Sequence, residues 1–350
     1  MFMLSQNESS APAVDLRIFT AEELRGLNRI AAQLALRFNT CESPSFAAAA
    51  SLAAEELPLT LRQKAKSFAL DQNASALLLK GFRVDDATLM ATPTSWDTPW
   101  EVAQIHRLEV IQALIASLFG EIFGWQTQEN GRFFRHIIPN PADALEQLGS
   151  SSAVDLQWHN EEAFHPARAD WIVLMCYRNL EHAVTTLCPM SAIQLDADVE
   201  AVLRSNRFII LPDKSHRSEF NQSKHWHLSR EDFNRIERML ETPLPQPVLT
   251  GPSQAPFLRI DPEFMHALDG DRDAEAALAT IKAAISAHLT DVTLAPGDFL
   301  IIDNLRAVHG RRAYTPLYGP QQRWMRRVNV ARDLYKGGQN ITFETPRRFI

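Results

Sequence analysis

LQWHNEEAFHPARADWIVLMCYRN, residues 156–179, carries two signals in one stretch. Its second half, DWIVLMCYR, is a short β-rich run of the kind that forms a strand. Its first half holds His159, one spacer and Glu161. Runs of the same texture follow downstream: AVTTLCPM, RFIILP, FLRID, DFLIID and RWMRRVNVA, with RFFRHIIP just before. Turn residues and prolines separate them, and one helical segment, DAEAALATIKAAISAHL, interrupts the series. The upstream part of the chain reads mostly as helix. TAEELRGLNRIAAQLALRF opens on the capping-box pair Thr20 and Glu23 and keeps helical spacing. SFAAAASLAAEEL and LRQKAKSFAL continue the pattern, and EVAQIHRLEVIQALIASLFG reads as an amphipathic helix closing at Gly120. One buried strand, ASALLLKGF, ends at Gly81 among these helices.

No Gly/Ser/Pro linker separates the two parts, and a strand precedes the last early helix. The expectation is therefore one α+β domain over residues 17–350, an antiparallel β-sandwich or barrel packed by N-terminal helices. Residues 1–16 read as a flexible leader. The polar segment 212–232 lies between strands and is expected to form a lid insertion extending to about residue 250.

The 350 residues are 45 % hydrophobic and 22 % charged, an ordinary globular composition with material for a sizeable core. The net charge of -7 argues against nucleic acid as a partner. No apolar run approaches a membrane span, and no signal peptide is read at the start. Three cysteines, Cys41, Cys176 and Cys188, without C-x-x-C spacing argue against a disulfide framework and fit a reducing cytoplasm. No obligatory protein partner is evident.

His159-x-Glu161 alone recurs by chance in many chains and could be two surface residues. A metal reading needs a third ligand far away. PGDFLIIDNLRAVHGRRAY, residues 296–314, supplies a candidate: a Pro-Gly turn, an apolar strand, then His309 with Gly310 leaving room beside it. Two histidines and a carboxylate on one face of an octahedron leave three positions open, which suits Fe(II) and oxygen chemistry. A 2-oxo acid co-substrate needs a guanidinium for its distal carboxylate. Arg323 stands 14 positions after His309, and Arg327 four further on, the same face of an extended strand. Arg326 points the other way and reads as solvent-facing. His165 is a rival ligand, placed six positions after His159 in a packing or loop context.

These residues together resemble the clavaminate synthase-like family of Fe(II)/2-oxoglutarate oxygenases, in its branch of free amino-acid hydroxylases acting on arginine, asparagine and lysine. The resemblance runs from about Gln128 to about Val330 and rests on LQWHNEEAFHPARADWIVLMCYRN and DFLIIDNLRAVHGRRAY…RWMRRVNVAR. It implies a double-stranded β-helix (jelly-roll) core, with His159, Glu161 and His309 holding Fe(II) and with 2-oxoglutarate and O2 as co-substrates. It implies that Arg323 grips the distal carboxylate of 2-oxoglutarate, aided by Thr186, with Thr185 the rival. It implies that Arg327 meets the substrate α-carboxylate, and that Gln128, 31 positions before His159, meets the substrate amino group together with Glu161. Asp261 and Glu263, 48 and 46 positions before His309, correspond to an acidic pair for a cationic side chain; residues two apart on a strand would share a face. The carboxylate Glu161 stands where related halogenases have a small residue, so hydroxylation is favoured over halogenation.

The expected activity is hydroxylation of a free basic L-amino acid at a side-chain carbon, with lysine slightly preferred to arginine because two acids of unequal reach suit a point charge. A desaturase or cyclase would share every residue named and would change the substrate mass by -2 instead of +16. A non-catalytic β-sandwich binding module predicts no ferrous affinity. A zinc hydrolase could use the triad but leaves Arg323 and Arg327 unexplained.

Overall fold

Trp171–Arg178 is a strand buried along its whole length, and its two faces belong to different cores. Trp171, Val173, Met175 and Tyr177 pack in one apolar cluster with Phe299, Ile301 and Trp324. Ile172, Leu174 and Cys176 join a second cluster with Leu187, Val292 and Ala307. Alternate side chains of a strand take opposite faces. Burial of both faces is why this stretch reads as unbroken apolar sequence and not as an alternation.

The computed structural model describes residues 14–97, 103–223, 230–340 and 347–349. A large sheet orders Asp15–Ile18, Ala76–Lys80, Phe299–Asp303, Trp171–Arg178, Trp324–Ala331, Glu121–Trp125 and Arg348–Phe349, and Phe134–Ile137 also pairs with Trp324–Ala331. A small antiparallel sheet orders Thr290–Thr293, Val184–Pro189, Ala307–Arg311 and Leu156–His159. The two face each other across the second cluster, giving the jelly-roll sandwich expected from the sequence. The Pro296-Gly297 turn feeds the central strand Phe299–Asp303, with Gly297 at φ +92°, a conformation that favours glycine.

Each sheet has an outer cover. The helices Ala21–Arg37, Pro44–Ala54, Leu59–Leu70 and Ala103–Ser117 close the large sheet. Residues 190–223 and 230–290, with the helices Ala197–Leu203 and Arg272–Ala287, close the small sheet against Trp158, Cys188 and Val308. The result is four layers, with the inter-sheet space in the middle.

The capping box forms: Thr20 Oγ1 accepts the Glu23 N–H at 3.2 Å and Glu23 Oε2 accepts the Thr20 N–H at 2.8 Å. The helix Ala103–Ser117 differs from the amphipathic expectation. From Ile105 to Ala116 only His106 and Arg107 escape burial, because the helix is wedged between the first two helices and the large sheet. Asp15 and Leu16, assigned to the leader, begin a strand that pairs in parallel with Ala76–Lys80. Residues 1–13 of that leader lie outside the described residues. No helix among the described residues is long and apolar enough to cross a membrane.

Candidate metal centre and substrate cavity

His159 ends its strand and sits directly across from His309 in the antiparallel register. Their rings stand 4.9 Å apart between centroids. Gly310 makes this approach possible: a Cβ there would lie 2.6 Å from the Leu156 carbonyl oxygen and 3.0 Å from Trp158 Cα. Glu161, just past the strand end, turns back so that Oε2 lies 3.4 Å from His309 Nε2 and 3.9 Å from His159 Nε2. One ligand atom from each residue lies within 4.8 Å of the others.

The donor set fits a first-row divalent metal. An ion about 2 Å from each atom needs edges near 3 Å, so the two edges at Glu161 need to close by less than about 1 Å. His159 Nδ1 is hydrogen-bonded to the Gln157 carbonyl at 2.8 Å, which orients Nε2 inward. Glu161 Oε2 is buried and has no hydrogen-bond partner. Burial opposes ionisation of Glu161, yet Arg327 and the two imidazoles outweigh it and hold the carboxyl well below its ordinary range. Burial also works against a charged His159, but the Glu161 carboxylate beside it dominates and pushes it up to about 9. Burial pushes His309 down. A cation among these groups would give Glu161 Oε2 the partner it lacks.

Two buried asparagines hold the H-x-E turn from behind, and neither was singled out from the sequence. Asn304 Oδ1 accepts the Glu161 N–H at 2.8 Å, and its Nδ2 donates to the carbonyls of Glu161 and Ala169 at 3.0 and 2.9 Å. Asn160 Nδ2 donates to the carbonyls of Asn304 and Ala307 at 2.8 and 2.9 Å. The only signal available was their position, one inside H-x-E and one ending the strand before His309.

A cavity of 370 Å³ opens above the triad. Arg323 and Arg327 both line it, as the strand spacing requires. Arg323 is 5 % exposed, and its Nε and Nη1 are buried without a hydrogen-bond partner, which suits a carboxylate ligand. Arg327 contacts Glu161 Oε1 and reaches Glu162 Oε1 at 3.4 Å. Burial first, then the Glu161 charge, pushes the Glu162 carboxyl up to about 8.

Other expectations shift. Thr185, not Thr186, lines the cavity. Thr185 pairs with Arg311, two residues from His309 and on the same face, whereas Thr186 pairs with Gly310 and takes the other face. Gln128 is fully buried and engaged on both sides: Nε2 donates to Ser215 Oγ at 2.5 Å and Oε1 accepts from Arg135 Nη1 at 2.6 Å. It stands behind the lining, and the neighbouring Glu129 and Arg135, paired at 3.1 Å, present themselves instead. Asp261 and Glu263 both line the cavity, but in a turn and not on a strand. Asp261 Oδ1 accepts the N–H of Glu263 at 3.1 Å and of Phe264 at 3.3 Å, the turn chemistry of an Asp before proline. Burial pushes Asp261 up to about 6, against the pull of His159 and with help from Asp213.

Asp213, Ser215 and Phe220 of the polar insertion also line the cavity. That insertion is fastened to the segment after Trp125: His216 Nδ1 meets Thr127 Oγ1 at 2.8 Å, and Asn221 Oδ1 accepts the Glu129 N–H at 2.9 Å. Residues 224–229 of it lie outside the described residues. His165 is not among the ligands; it is fully buried, packs against Trp125 at 4.5 Å and accepts the Ala167 N–H.

Arg326 is fully buried and not solvent-facing. It extends to the helix side of the large sheet, where it pairs with Glu109 at 2.6 Å. Glu109 forms a second potential ligand group with Cys41 and His106. There, as at Glu161, a guanidinium meets the carboxylate, but Cys41, His106 and Glu109 do not line the cavity.

The family described as taurine catabolism dioxygenase TauD, TfdA matches residues 55–329. The chain belongs to the TauD/TfdA family. Similar relatives include an enduracididine beta-hydroxylase of Streptomyces hygroscopicus, 35 % identical over 331 residues that cover 93 % of this chain and 97 % of that one. An L-ornithine/L-arginine 3-hydroxylase of Catenulispora acidiphila is 33 % identical, covering 90 % and 94 %. Among solved structures, the non-heme iron oxygenase OrfP in complex with Fe, succinate and (3S)-hydroxy-L-Arg superposes with a TM-score of 0.90 at 29 % identity, covering 96 % of this chain and 99 % of that one. Within the TauD/TfdA family the chain falls in the clavaminate synthase-like branch of free amino-acid hydroxylases. It is a non-haem oxygenase that uses Fe(II), 2-oxoglutarate and O2.

Proposed function

We propose that this TauD/TfdA enzyme hydroxylates free L-arginine, or a close relative of it, at the β-carbon. The observation that carries the reading is the single cavity in which the His159–Glu161–His309 cluster, the open guanidinium of Arg323 and the acidic turn of Asp261 and Glu263 meet. The lean to lysine gives way to arginine because an enduracididine hydroxylase at 35 % identity and an ornithine/arginine hydroxylase at 33 % are both more similar than an L-lysine 3-hydroxylase at 31 %. Both are named for oxidation at the β- or 3-position.

In this reading His159, Glu161 and His309 hold iron, which with 2-oxoglutarate and O2 supplies the oxidising power for C–H hydroxylation. Arg323 binds the distal carboxylate of 2-oxoglutarate through its fork, with Thr185 beside it. Arg327 leaves Glu161 for the substrate α-carboxylate, an exchange of one carboxylate for another. Glu162 and Glu161 face the substrate ammonium. Asp261, Glu263 and Asp213 take the cationic end. Anchoring both ends fixes the carbon presented to the metal. The segment beginning at residue 212 acts as a lid that excludes water, within one domain that includes the strand starting at Asp15. The free cysteines Cys41, Cys176 and Cys188 support a reducing compartment, the cytoplasm.

The test is turnover of free arginine, ornithine, lysine and asparagine with Fe(II) and 2-oxoglutarate, following succinate and product mass. Arginine gaining 16 mass units is the expected result. Turnover confined to lysine overturns the substrate assignment, and a loss of 2 mass units assigns desaturation.

A further inference from the structure

We infer that Asn160 is a positioning residue that fixes the distance from the iron ligands to the acidic turn and so sets which substrate carbon faces the metal. The inference rests on the reading of Asp261 as partner of the substrate's cationic end. Asn160 is fully buried and sits between two proposed ligands without being one. Its backbone N–H donates to the Ile260 carbonyl at 2.9 Å, and its side-chain Oδ1 accepts the Ile260 N–H, also at 2.9 Å. This reciprocal pair clamps the residue immediately before Asp261. The same side chain uses both Nδ2 hydrogens on the carbonyls of Asn304 and Ala307, which lead into the strand of His309. One amide thus ties three segments together: the H-x-E turn, the turn before His309 and the turn that carries Asp261 and Glu263.

The tolerance at such a joint is small. Neighbouring carbons of a substrate side chain are about 1.5 Å apart, one C–C bond. A shift of about 1 Å in placement can cost on the order of 100-fold in rate. The turn's other hydrogen bonds run within itself and to the cover, as from Leu211 N–H to the Phe264 carbonyl at 2.8 Å, whereas the two to Asn160 tie it to the residue between His159 and Glu161. Asn304 works differently, because its bonds go to Glu161 itself and to Ala169.

The experiment compares wild type, Asn160→Ala, the milder Asn160→Ser and Asn304→Ala. Three quantities are read: the regioisomers formed from L-arginine with succinate per hydroxylated product, the Kd for L-arginine in Co(II)-loaded protein, and hydrogen exchange at Ile260 and Asp261 in metal-free protein. For Asn160→Ala the expected results are a Kd raised about tenfold or more, product spread over more than one carbon, succinate in excess of product, and faster exchange at Ile260. Asn304→Ala is expected to lose metal affinity while keeping a single regioisomer. A folded Asn160 variant with wild-type regiochemistry and coupling overturns the inference. If Asn160→Ala does not fold, Asn160→Ser decides by the same readings. If wild type hydroxylates no basic amino acid, the functional reading fails by itself, and unchanged exchange at Ile260 in the variant then overturns the positioning role as well.

Discussion

The side-chain amide of Asn304 brackets Glu161, accepting its N–H at 2.8 Å and donating to its carbonyl at 3.0 Å. Partners of this kind orient a ligand without touching the metal, and their loss typically lowers metal affinity by about 10–100-fold. Asn304→Ala is therefore expected to bind Fe(II) or Co(II) that much more weakly in an anaerobic titration. Unchanged affinity in a folded variant would show that Glu161 is held by its other contacts.

Gly310 lets the His159 strand lie against the His309 strand, since a Cβ would meet the Leu156 carbonyl at 2.6 Å. Gly310→Ala forces a backbone to move, an overpacking cost of roughly 1–3 kcal/mol. The expected outcome is a lower Tm together with weaker metal binding, because the strands that separate carry two of the three proposed ligands. A variant with wild-type Tm and metal affinity contradicts this.

Thr185 and Thr186 take opposite faces of one strand, so paired substitutions separate them. Thr185→Val should raise the KM for 2-oxoglutarate several-fold, the loss of a hydrogen bond of about 1 kcal/mol. Thr186→Val should leave it near wild type. Arg323→Gln, which removes the fork, should raise the same KM far more while leaving the amino-acid Kd unchanged. Steady-state kinetics with each substrate varied in turn reads all three, and equal effects from the two threonines would refute the facial assignment.

Burial pushes Asp261 up to about 6. Below that pH the free enzyme carries a neutral acid at the place proposed for the substrate cation, and above it a carboxylate. kcat/KM for arginine is thus expected to rise with pH through about 6 and then level off. Asp261→Asn should be about tenfold or more weaker at neutral pH, the range for a hydrogen bond to a charged group, and should lack this limb. A limb that persists in Asp261→Asn belongs to another group.

His216, buried against Trp125 and Phe164, is held down to about 4 from an ordinary value of 6.5. Burial is the main cause, opposed by Asp213 and reinforced by Arg135. The unfolded chain takes up this proton first. The stability contributed by neutral His216 is complete above about 6.5 and is lost as the pH falls toward 4. Urea unfolding of wild type against His216→Phe across that window should show the difference shrinking with acid, and a pH-independent difference would contradict it.

Sequence spacing located His159, Glu161, His309, Arg323 and Arg327 because each lies on or next to a strand whose period of two is rigid. The same rule misled where no strand exists, as at Asp261 and Glu263, which share the cavity through a turn stabilised by Asp261 itself. It was one residue out at Thr186, because a slip of one position exchanges faces. Arg326 read as solvated because nothing local says that helices cover the far face of its strand. Gln128 sits close to the cavity in space, yet its side chain is held by Ser215, which only the folded insertion brings near, and by Arg135 on the strand that follows it. Asn160 and Asn304 have no motif of their own; their roles exist only where three distant turns converge.

The four-layer arrangement separates two inventories along the chain. The proposed metal ligands and both cavity arginines come from the two inner sheets and the turn beside them, whereas Asp213, Asp261 and Glu263 all come from the cover formed by residues 190–223 and 230–290. In the proposed reading, iron binding and recognition of the substrate's cationic end are thus written in different stretches of sequence and joined at a few amide hydrogen bonds. Substrate preference can drift by rewriting the cover while the sheets stay constant, and a graft of that one contiguous stretch between relatives is the natural unit of exchange.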